Sequence, residues 1–323
     1  MSRQVNRTKL TVDKVLVTGG AGFIGSHTVD ALMEYGARVW VLDDLRSGFR
    51  NNLRRWVGDP NLNFVKGAVL NYSVLDRLVR RVDGVVHLAA IVSTDISLRD
   101  PSLTNLVNVS GTLNVLNSCL KHRVERLVYA SSSSVYGDAK SFRVKETAAN
   151  NPLNPYGVSK LAAEKYCRAY FRSFGIKTVS LRYFNVYGER QSHSEYSGVV
   201  AIFAKKLLTH SRPTIFGSGR QKRDFIHVSD VARANLLALE TDRAAGQAFN
   251  VGTGRSVSVL HLLHLLMKIT GTTGINPLFE EERKGDIRNS CADMSESKRV
   301  LHFHPLVEFE TGLEMLTQWL RAK

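Results

Sequence analysis

The chain has 323 residues, of which 43% are hydrophobic and 23% charged. This length is enough for one large globular domain or for a main domain with a smaller lobe, and the composition argues against a disordered chain. Lys and Arg outnumber Asp and Glu by 44 to 29, which gives a formal net charge of +15. Because the basic residues are scattered and form no stripe, we predict a small phosphate ester as the anionic partner and no nucleic acid.

The cysteines indicate the expected compartment. Cys119, Cys167 and Cys291 are far apart and show no zinc-binding spacing, so we expect no metal site and a reducing environment. Residues 1–13 are polar and lack the apolar core of a signal peptide, and the sequence contains no apolar run long enough for a membrane helix. We therefore expect a cytoplasmic protein without a membrane partner.

Short apolar runs alternate with amphipathic segments through the first half of the chain. Apolar strands separated by helices pack as a parallel sheet that is covered on both faces. The predicted fold class is α/β, a Rossmann-type doubly wound parallel sheet with a smaller α/β substrate-binding lobe. The predicted strands are residues 14–18, 38–43, 63–66, 84–88, 126–131 and 177–181.

A glycine-rich segment follows the first predicted strand. Gly19, Gly22 and Gly25 recur at every third position. In a dinucleotide site the first glycine permits the tight turn, the second lets the backbone approach the pyrophosphate at a helix N-terminus, and the third lets helix and strand pack closely. The spacing therefore predicts a dinucleotide cofactor.

The second predicted strand ends at Asp43 and Asp44. A carboxylate there can accept hydrogen bonds from both ribose hydroxyls and would repel a 2′-phosphate, which favours NAD over NADP. Two alternatives remain open, since Asp43 could merely cap a turn and Arg46 could accept NADP.

The alternation of strands and helices is interrupted after Asn185 and resumes at Asp224. We predict that residues 1–184 and 224–266 form the NAD-binding domain. Residues 185–223 and 267–323 are predicted to form the substrate-binding lobe.

The candidate catalytic residues are Tyr156 and Lys160, which lie four residues apart at the start of a predicted helix. Their side chains should face the same way. A tyrosine has a pKa of about 10, and we expect Lys160 and the charge of oxidised nicotinamide to lower it enough for a general base. Four serines at 131–134 end the preceding strand, where one hydroxyl can bind the reacting oxygen. Together these residues predict redox chemistry on a hydroxyl group.

These segments resemble the extended short-chain dehydrogenase/reductase family and, within it, the UDP-sugar 4-epimerases. The resemblance covers nearly the whole chain. It rests on residues 18–27, His87-Leu88-Ala89-Ala90, 108–112, 132–137, Tyr156 with Lys160, 182–185, 223–225 and Gly285-Asp286.

The resemblance implies a reaction and a role for each catalytic residue. Tyr156 takes the proton from the sugar 4-hydroxyl, Ser132 assists, and a hydride passes from C4 to NAD. The resulting 4-keto sugar turns over and takes the hydride back on its other face, so the cofactor is regenerated in place.

The resemblance also implies two sets of binding residues. The cofactor set is Gly19, Gly22, Phe23, Ile24, Gly25, Asp43, Asp44, Ser47, Gly48, Val69, Leu88, Ala89, Ala90, Asn108, Tyr156, Lys160 and Tyr183. The substrate set is Ser93, Ser132, Ser133, Tyr156, Asn185, Val200, Phe216, Arg223, Arg283, Asp286 and Ser290. Within the substrate set, Asn185, Arg223, Arg283 and Asp286 hold the diphosphate and ribose, and Phe216 lies against the uracil.

Two features favour one activity within the family. Dehydratases carry an Asp-Glu pair, and decarboxylases a Glu, where this chain has Ser133 and Ser134, so the acid that eliminates water is missing. Ser290 stands where a tyrosine closes the sugar pocket of epimerases restricted to UDP-glucose and UDP-galactose. A serine leaves room, so we predict interconversion of UDP-GlcNAc and UDP-GalNAc, with the plain hexoses as further candidate substrates.

Two alternative functions and one assembly remain as hypotheses. A UDP-glucuronate 4-epimerase would need groups for a 6-carboxylate, for which Thr94, Ser97 and Arg288 are candidates. A catalytically silent NAD sensor would be expected to lose Tyr156 or Lys160. The resemblance also implies a homodimer, in which helices near residues 103–120 and 156–174 pair across a two-fold axis.

Overall fold

A parallel β-sheet lies at the centre of the computed structural model, which describes residues 11–139, 141–191, 198–282 and 287–322. The strands are β1 (Lys14–Thr18), β2 (Arg38–Asp43), β3 (Leu62–Lys66), β4 (Gly84–His87), β5 (Arg126–Ser132), β6 (Lys177–Tyr183), β7 (Asn185–Tyr187), β8 (Thr214–Phe216), β9 (Lys222–Arg223), β10 (Phe225–His227), β11 (Gln247–Val251), β12 (Val257–Ser258), β13 (Leu278–Glu280) and β14 (Asn289–Ser290).

The helices alternate with these strands. They are α1 (Phe23–Glu34), α2 (Tyr72–Val79), α3 (Thr94–Arg99), α4 (Pro101–Asn105), α5 (Gly111–His122), α6 (Pro155–Phe174), α7 (Val199–Leu208), α8 (Val228–Glu240), α9 (Val259–Thr270), α10 (Ser295–Leu301) and α11 (Phe309–Arg321). A π-helical turn, Leu106–Ser110, joins α4 to α5, and short 3₁₀ turns form at Arg50–Trp56, Ser133–Tyr136 and Asp242–Ala244.

Within the described ranges, seven strands pair in parallel in the order β11-β6-β5-β4-β1-β2-β3. The six strands predicted from sequence are all present, and their ends differ from the prediction by at most two residues. The predicted doubly wound α/β fold is confirmed. The strand order reverses between β1 and β4, so the loops after these strands diverge and leave a crevice at their carboxyl ends, where ligands of open α/β sheets bind.

The apolar residues of each strand divide between the two faces of the sheet. Val15 and Val17 of β1 pack with α1 and α8, whereas Leu16 packs with α2, α5 and α6 on the other face. Both faces are therefore covered, which is why the strands read as continuous apolar runs.

A third apolar cluster, the lobe cluster, lies outside the main sheet and includes Phe203, Leu207, Leu262, Leu266 and Leu316. Helix α9 packs there against α7 and α11. The predicted division of the chain into two parts remains a prediction. The apolar face of α9 is buried by contacts with α7 and α11 of the lobe cluster. This packing argues that the boundary between the NAD-binding domain and the lobe lies near residue 258, before α9.

Three features bear on the environment of the protein. None of the described helices combines the length and apolar character that crossing a bilayer requires. In the same ranges, no group of three His, Cys, Asp or Glu side chains is arranged to hold a metal ion. Cys119, Cys167 and Cys291 are buried and form no disulfide.

Candidate active site

The glycine loop between β1 and α1 forms a cradle that larger residues would fill. Gly19 has a positive φ of 70°, and a Cβ on it would lie 2.8 Å from the backbone nitrogen of Ala89. Gly22 is the N-cap of α1, and a Cβ on Gly25 would overlap the carbonyl oxygen of Gly19. The exposed start of α1 fits the pyrophosphate of a dinucleotide, because helix N-termini bind anions. Phe23 and Ile24, in the same turn, are half-buried.

Asp43 ends β2 beside this loop. Its carboxylate accepts hydrogen bonds from the backbone nitrogens of Ala21 (2.9 Å) and Leu45 (2.8 Å). Burial raises the pKa of Asp43, and these hydrogen bonds oppose the rise. The turn-capping role left open above is therefore present, and the remaining lone pairs can still accept from ribose hydroxyls.

The turn after β2 contains the other predicted residues for the ribose side. Arg46 pairs with Asp44, with 3.8 Å between Nε and Oδ2, so its charge is already partnered within the turn. Gly48 is buried, and a Cβ on it would lie 3.0 Å from Oδ1 of Asp43. Ser47 is exposed.

The loop after β4 forms the opposite wall of the crevice and contains Leu88, Ala89 and Ala90, which are half-buried. Asn108, in the π-helical turn, holds this loop from behind. Its Oδ1 accepts from the nitrogen of Ile91 (2.8 Å), and its Nδ2 donates to the carbonyl of Ile91 (2.9 Å) and to Oγ of Ser159 (2.9 Å). π-Helical turns are frequent at functional sites, and this one ties the cofactor loop to α6.

Helix α6 presents Tyr156 in its first turn. Asn154 caps the helix, because its Oδ1 accepts from the nitrogen of Gly157 (2.9 Å), and Pro155 occupies the first helical position. Ser132, at the end of β5, forms a side-chain hydrogen bond with Tyr156. Oγ of Ser132 also accepts from the nitrogen (3.2 Å) and Oγ (2.9 Å) of Ser134. With both lone pairs engaged, Ser132 is left to donate its proton towards Tyr156.

Tyr156 and Lys160 both lie in a buried environment that shifts their pKa values. Burial raises the pKa of Tyr156, and the hydrogen bond from Ser132 lowers it. Lys160 is 3% exposed, and its Nζ lies 4.7 Å from the ring centroid of Tyr129. Burial lowers the pKa of Lys160 to about 7. In this structure the side chain of Lys160 packs on Tyr129, and Ser132 is the group that lowers the pKa of Tyr156. The expected effect of Lys160 on Tyr156 stays a prediction.

Two predicted substrate residues meet in the smaller sheet β12-β9-β14. Arg223 of β9 is in register with Ser290 of β14, and Ser290 is 8% exposed. Asn185 of β7 lies alongside, since its Nδ2 donates to the carbonyl of Asp224 (3.1 Å). Phe216 is half-buried in β8, in register with Glu280 of β13. Arg283 and Asp286 lie outside the described residues.

The surroundings of five further predicted residues bear on how they could contact a ligand. The side chains of Val69 and Val200 are buried in apolar clusters, which leaves only their backbones for ligands. The hydroxyl of Tyr183 donates to Asn235 of α8 (2.6 Å). For the substrate set, Ser133 is half-buried in the 3₁₀ turn, and Oγ of Ser93 caps α3 by accepting from the nitrogen of Ile96 (3.1 Å).

Ser97 was a candidate for binding a 6-carboxylate, and the structure argues against that role. Ser97 is fully buried, and its hydroxyl donates to the carbonyl of Thr94 (2.7 Å). Thr94 and Arg288 are exposed. The uronate alternative therefore loses one of its three candidate residues.

Two buried carboxylates next to the site were missed at the sequence level. Glu164 pairs with Arg182 one helical turn after Lys160, and Asp224 accepts hydrogen bonds from residues 253, 254 and 292. The spacing of Glu164 from Lys160 places both on one helix face, which was an available signal. Asp224 falls within the segment 223–225 that carries part of the resemblance, but its hydrogen-bond partners are distant in sequence, so its buried role could not be inferred.

Comparison with known proteins agrees with this geometry. The model of the NAD dependent epimerase/dehydratase family matches residues 15–252. UDP-glucose 4-epimerase of Mycolicibacterium smegmatis is 35% identical over 312 residues, which are 96% of this chain and 99% of that protein.

Two solved structures are similar over nearly their full length. The first is UDP-glucose 4-epimerase from Thermotoga maritima with UDP-glucose, with a TM-score of 0.91 and 40% identity over 96% of this chain and 99% of that one. The second is UDP-N-acetylglucosamine 4-epimerase from Methanobrevibacter ruminantium in complex with UDP-N-acetylmuramic acid, with a TM-score of 0.92 and 34% identity over 98% and 99%.

These matches and the fit of the glycine loop bear on three predictions. The resemblance to the extended short-chain dehydrogenase/reductase epimerases is confirmed, as are the NAD cofactor and the enzyme class, an NAD-dependent epimerase. The chain belongs to the NAD-dependent epimerase/dehydratase family.

Proposed function

We propose that the protein is a UDP-sugar 4-epimerase that inverts C4 through a transient 4-keto sugar. The observation that carries this proposal is the meeting of Ser132 and Tyr156 at the carboxyl end of the sheet, beside the glycine loop. Arg223 and Ser290, which are paired with each other in the smaller sheet, would hold the diphosphate and the sugar. The similar proteins described above are UDP-glucose 4-epimerases and a UDP-N-acetylglucosamine 4-epimerase, and this similarity supports the proposed reaction.

In this mechanism the residues of the chain bind the sugar and move one proton. Tyr156 accepts the proton of the 4-hydroxyl, and Ser132 donates a hydrogen bond that stabilises the phenolate. A bound NAD would supply the hydride acceptor and donor that the inversion at C4 requires. Tyr156 then returns its proton to the new 4-oxygen. Gly19, Gly22 and Gly25 would hold the pyrophosphate, and Asp43 the ribose hydroxyls.

We further propose that N-acetylated sugars are accepted. Ser290 is small, and its position next to Arg223 puts it where a substrate held by that guanidinium would extend. A tyrosine at this position would fill the space that an N-acetyl group needs.

The direct test is to incubate the purified protein with UDP-glucose, UDP-galactose, UDP-GlcNAc, UDP-GalNAc and UDP-glucuronate, with and without added NAD, and to separate the products by chromatography. Conversion of any of these to its 4-epimer supports the proposal, and conversion of the N-acetyl pair supports the open sugar pocket. Conversion of UDP-glucuronate alone would favour the uronate alternative. Binding of NAD without turnover of any substrate would contradict the proposal and favour the silent sensor.

Replacing Ser290 with Tyr should separate the substrate classes. We expect kcat/KM to fall roughly 10- to 200-fold for UDP-GlcNAc, and less than about threefold for UDP-glucose, because the added ring excludes only the N-acetyl group. The matched control is Asn289→Tyr, since Asn289 is the exposed neighbour in the same strand and its side chain points to the other face. Equal losses on both substrates would argue against the assignment of Ser290.

We propose that the protein is a cytoplasmic homodimer. Its three cysteines are buried and unpaired, which suits a reducing compartment. Large apolar side chains are exposed along the predicted interface helices: Leu106 (47%), Leu120 (37%), Val158 (53%), Tyr166 (42%) and Phe174 (54%). These two segments also pack on each other, because the hydroxyl of Tyr170 donates to Asn117 (2.6 Å). A two-fold axis across them would bury this surface in a helical bundle.

The dimer can be tested by placing a charge on this surface. We expect the Leu106→Glu/Tyr166→Glu double variant to sediment as a monomer of about half the wild-type mass in analytical ultracentrifugation, because an interface buries unpaired charges at a high cost. Phe142→Glu is the control, since Phe142 is 62% exposed and lies outside both helices. A wild-type monomer, or dissociation by the control alone, would contradict the proposed interface.

A further inference from the structure

Glu164 and Arg182 form a buried ion pair beneath residues 131–136, which contain Ser132 and which we call the catalytic loop. Glu164 lies on α6 and Arg182 on β6, and they are 5% and 3% exposed. Nη2 of Arg182 donates to Oε1 of Glu164 (2.6 Å), and Nε donates to Oε2 (3.0 Å). Buried ion pairs add little stability compared with apolar residues of similar volume, so stability alone does not explain this one.

The pair contacts the catalytic loop at both of its ends. Oγ of Ser131, the residue before Ser132, donates to Oε2 of Glu164 (2.7 Å). At the other end, Nη1 of Arg182 donates to the hydroxyl of Tyr136 (2.8 Å), and the guanidinium lies 4.8 Å from the centroid of that ring. The ion pair therefore fixes residues 131–136 at both ends, before and after Ser132, whose hydroxyl faces Tyr156.

A second branch runs from the same pair to the substrate side. The hydroxyl of Tyr136 donates to Oδ1 of Asn250 (2.6 Å). Nδ2 of Asn250 donates to the carbonyls of Val144 (2.8 Å) and Asp293 (3.1 Å), and Val144 forms a β-bridge with Ala292. One network thus joins the catalytic loop to the strand that ends at Ser290.

We propose that Glu164 and Arg182 are positioning residues. They hold residues 131–136 so that Oγ of Ser132 faces Tyr156 and so that the catalytic loop keeps its position relative to the strand that ends at Ser290. The inference deepens the proposed function and rests on it. Glu164 touches neither the sugar nor the cofactor in this scheme, and it acts through Ser131. The carboxylate of Glu164 accepts a hydrogen bond from Ser131 and two from the guanidinium of Arg182. Because these bonds are directional, they fix both the distance of the catalytic loop from α6 and its orientation.

The same carboxylate acts on Lys160 one turn earlier. Burial lowers the pKa of Lys160, and Cys167 and Glu164 oppose this. Burial also raises the pKa of the Cys167 thiol, so this thiol is neutral at pH 7. Glu164 is the carboxylate that pairs with Arg182. Tyr129 and His87 also face Lys160 among the described residues. Burial raises the pKa of Tyr129 and lowers that of His87 to about 3, so both are neutral near pH 7.

Ser131→Ala is the sharpest test, because it removes one hydrogen bond and leaves the ion pair intact. We expect kcat to fall about tenfold with the KM for the UDP-sugar unchanged within about twofold, since only the orientation of Ser132 is lost. The matched control is Ser118→Ala. Ser118 is another buried serine that donates to a carboxylate, that of Asp76 (3.1 Å), on the far side of α5. Wild-type kcat in Ser131→Ala, or the same loss in both variants, would overturn the proposal.

A second measurement does not depend on turnover. In Glu164→Gln, the titration of Lys160 followed by ¹³C-lysine NMR should move to lower pH, because a carboxylate that opposes the effect of burial is removed. An unchanged titration in the folded variant would overturn the electrostatic part of the proposal. Should the wild-type protein convert no UDP-sugar, the proposed function fails, whereas this titration still tests the coupling between Glu164 and Lys160. If Glu164→Gln does not fold, Ser131→Ala decides.

Discussion

Replacing Tyr156 with Phe is expected to lower kcat by roughly 10²- to 10⁴-fold, the usual contribution of a positioned acid or base. The change removes the hydroxyl with which Ser132 interacts at the start of α6 and leaves the ring in place. The KM for the UDP-sugar should change little, because the sugar nucleotide is bound mainly by other residues. Steady-state kinetics with a saturating UDP-sugar, together with NAD content measured after denaturation, would check both expectations.

The role of Tyr156 as a base also predicts how kcat depends on pH. Burial raises the pKa of Tyr156 and the Ser132 hydrogen bond lowers it, so the phenolate fraction, and with it kcat, should rise with pH across the neutral range. The Tyr156→Phe variant should lose this rise. Tyr166→Phe serves as the control, because Tyr166 lies exposed on the same helix. A wild-type rate in Tyr156→Phe would assign the proton transfer to another group.

The sheet could be read from the sequence because its signal is local. Apolar runs mark β1, β2, β4 and β5, and alternating apolar residues mark β3 and β6. The spacing of Gly19, Gly22 and Gly25 indicates a close approach of backbone atoms that larger residues would prevent. β7, β9, β10, β12 and β14 have two or three residues each. Segments this short carry no periodicity, so their pairing depends on contacts that the sequence does not display.

Only part of the site could be predicted from the sequence, because some of its features depend on tertiary packing. Tyr156 and Ser132 were identified because each occupies a motif, and the structure brings them together. The direction of the Lys160 side chain was not predictable, because the i,i+4 spacing fixes the face of the helix but not the rotamer of a long side chain. Placing Lys160 over Tyr129 requires knowing how β5 and α6 pack, which is a tertiary fact.

Replacing Asp224 with Ala should have the largest effect on stability. Its carboxylate is fully buried and accepts from the nitrogen (2.8 Å) and hydroxyl (2.6 Å) of Thr253 and from the nitrogens of Gly254 (2.9 Å) and Ala292 (3.0 Å). The change leaves these buried donors without their acceptor, and we expect the free energy of unfolding to fall by about 2–4 kcal/mol. Urea denaturation followed by circular dichroism would measure it.

The same variant should also weaken substrate binding, because Asp224 ties the segment after Ser290 to the loop after β11 at the point where Arg223 enters the site. We expect the KM for the UDP-sugar to rise more than kcat falls, which is the reverse of the pattern expected for Tyr156→Phe. Asp242→Ala is the matched control, since Asp242 is an exposed partner of Arg126 and Lys177 and such surface pairs contribute at most about 1 kcal/mol. Similar small losses in both variants would mean that water replaces the Asp224 carboxylate, and the link between the two loops would then not depend on it.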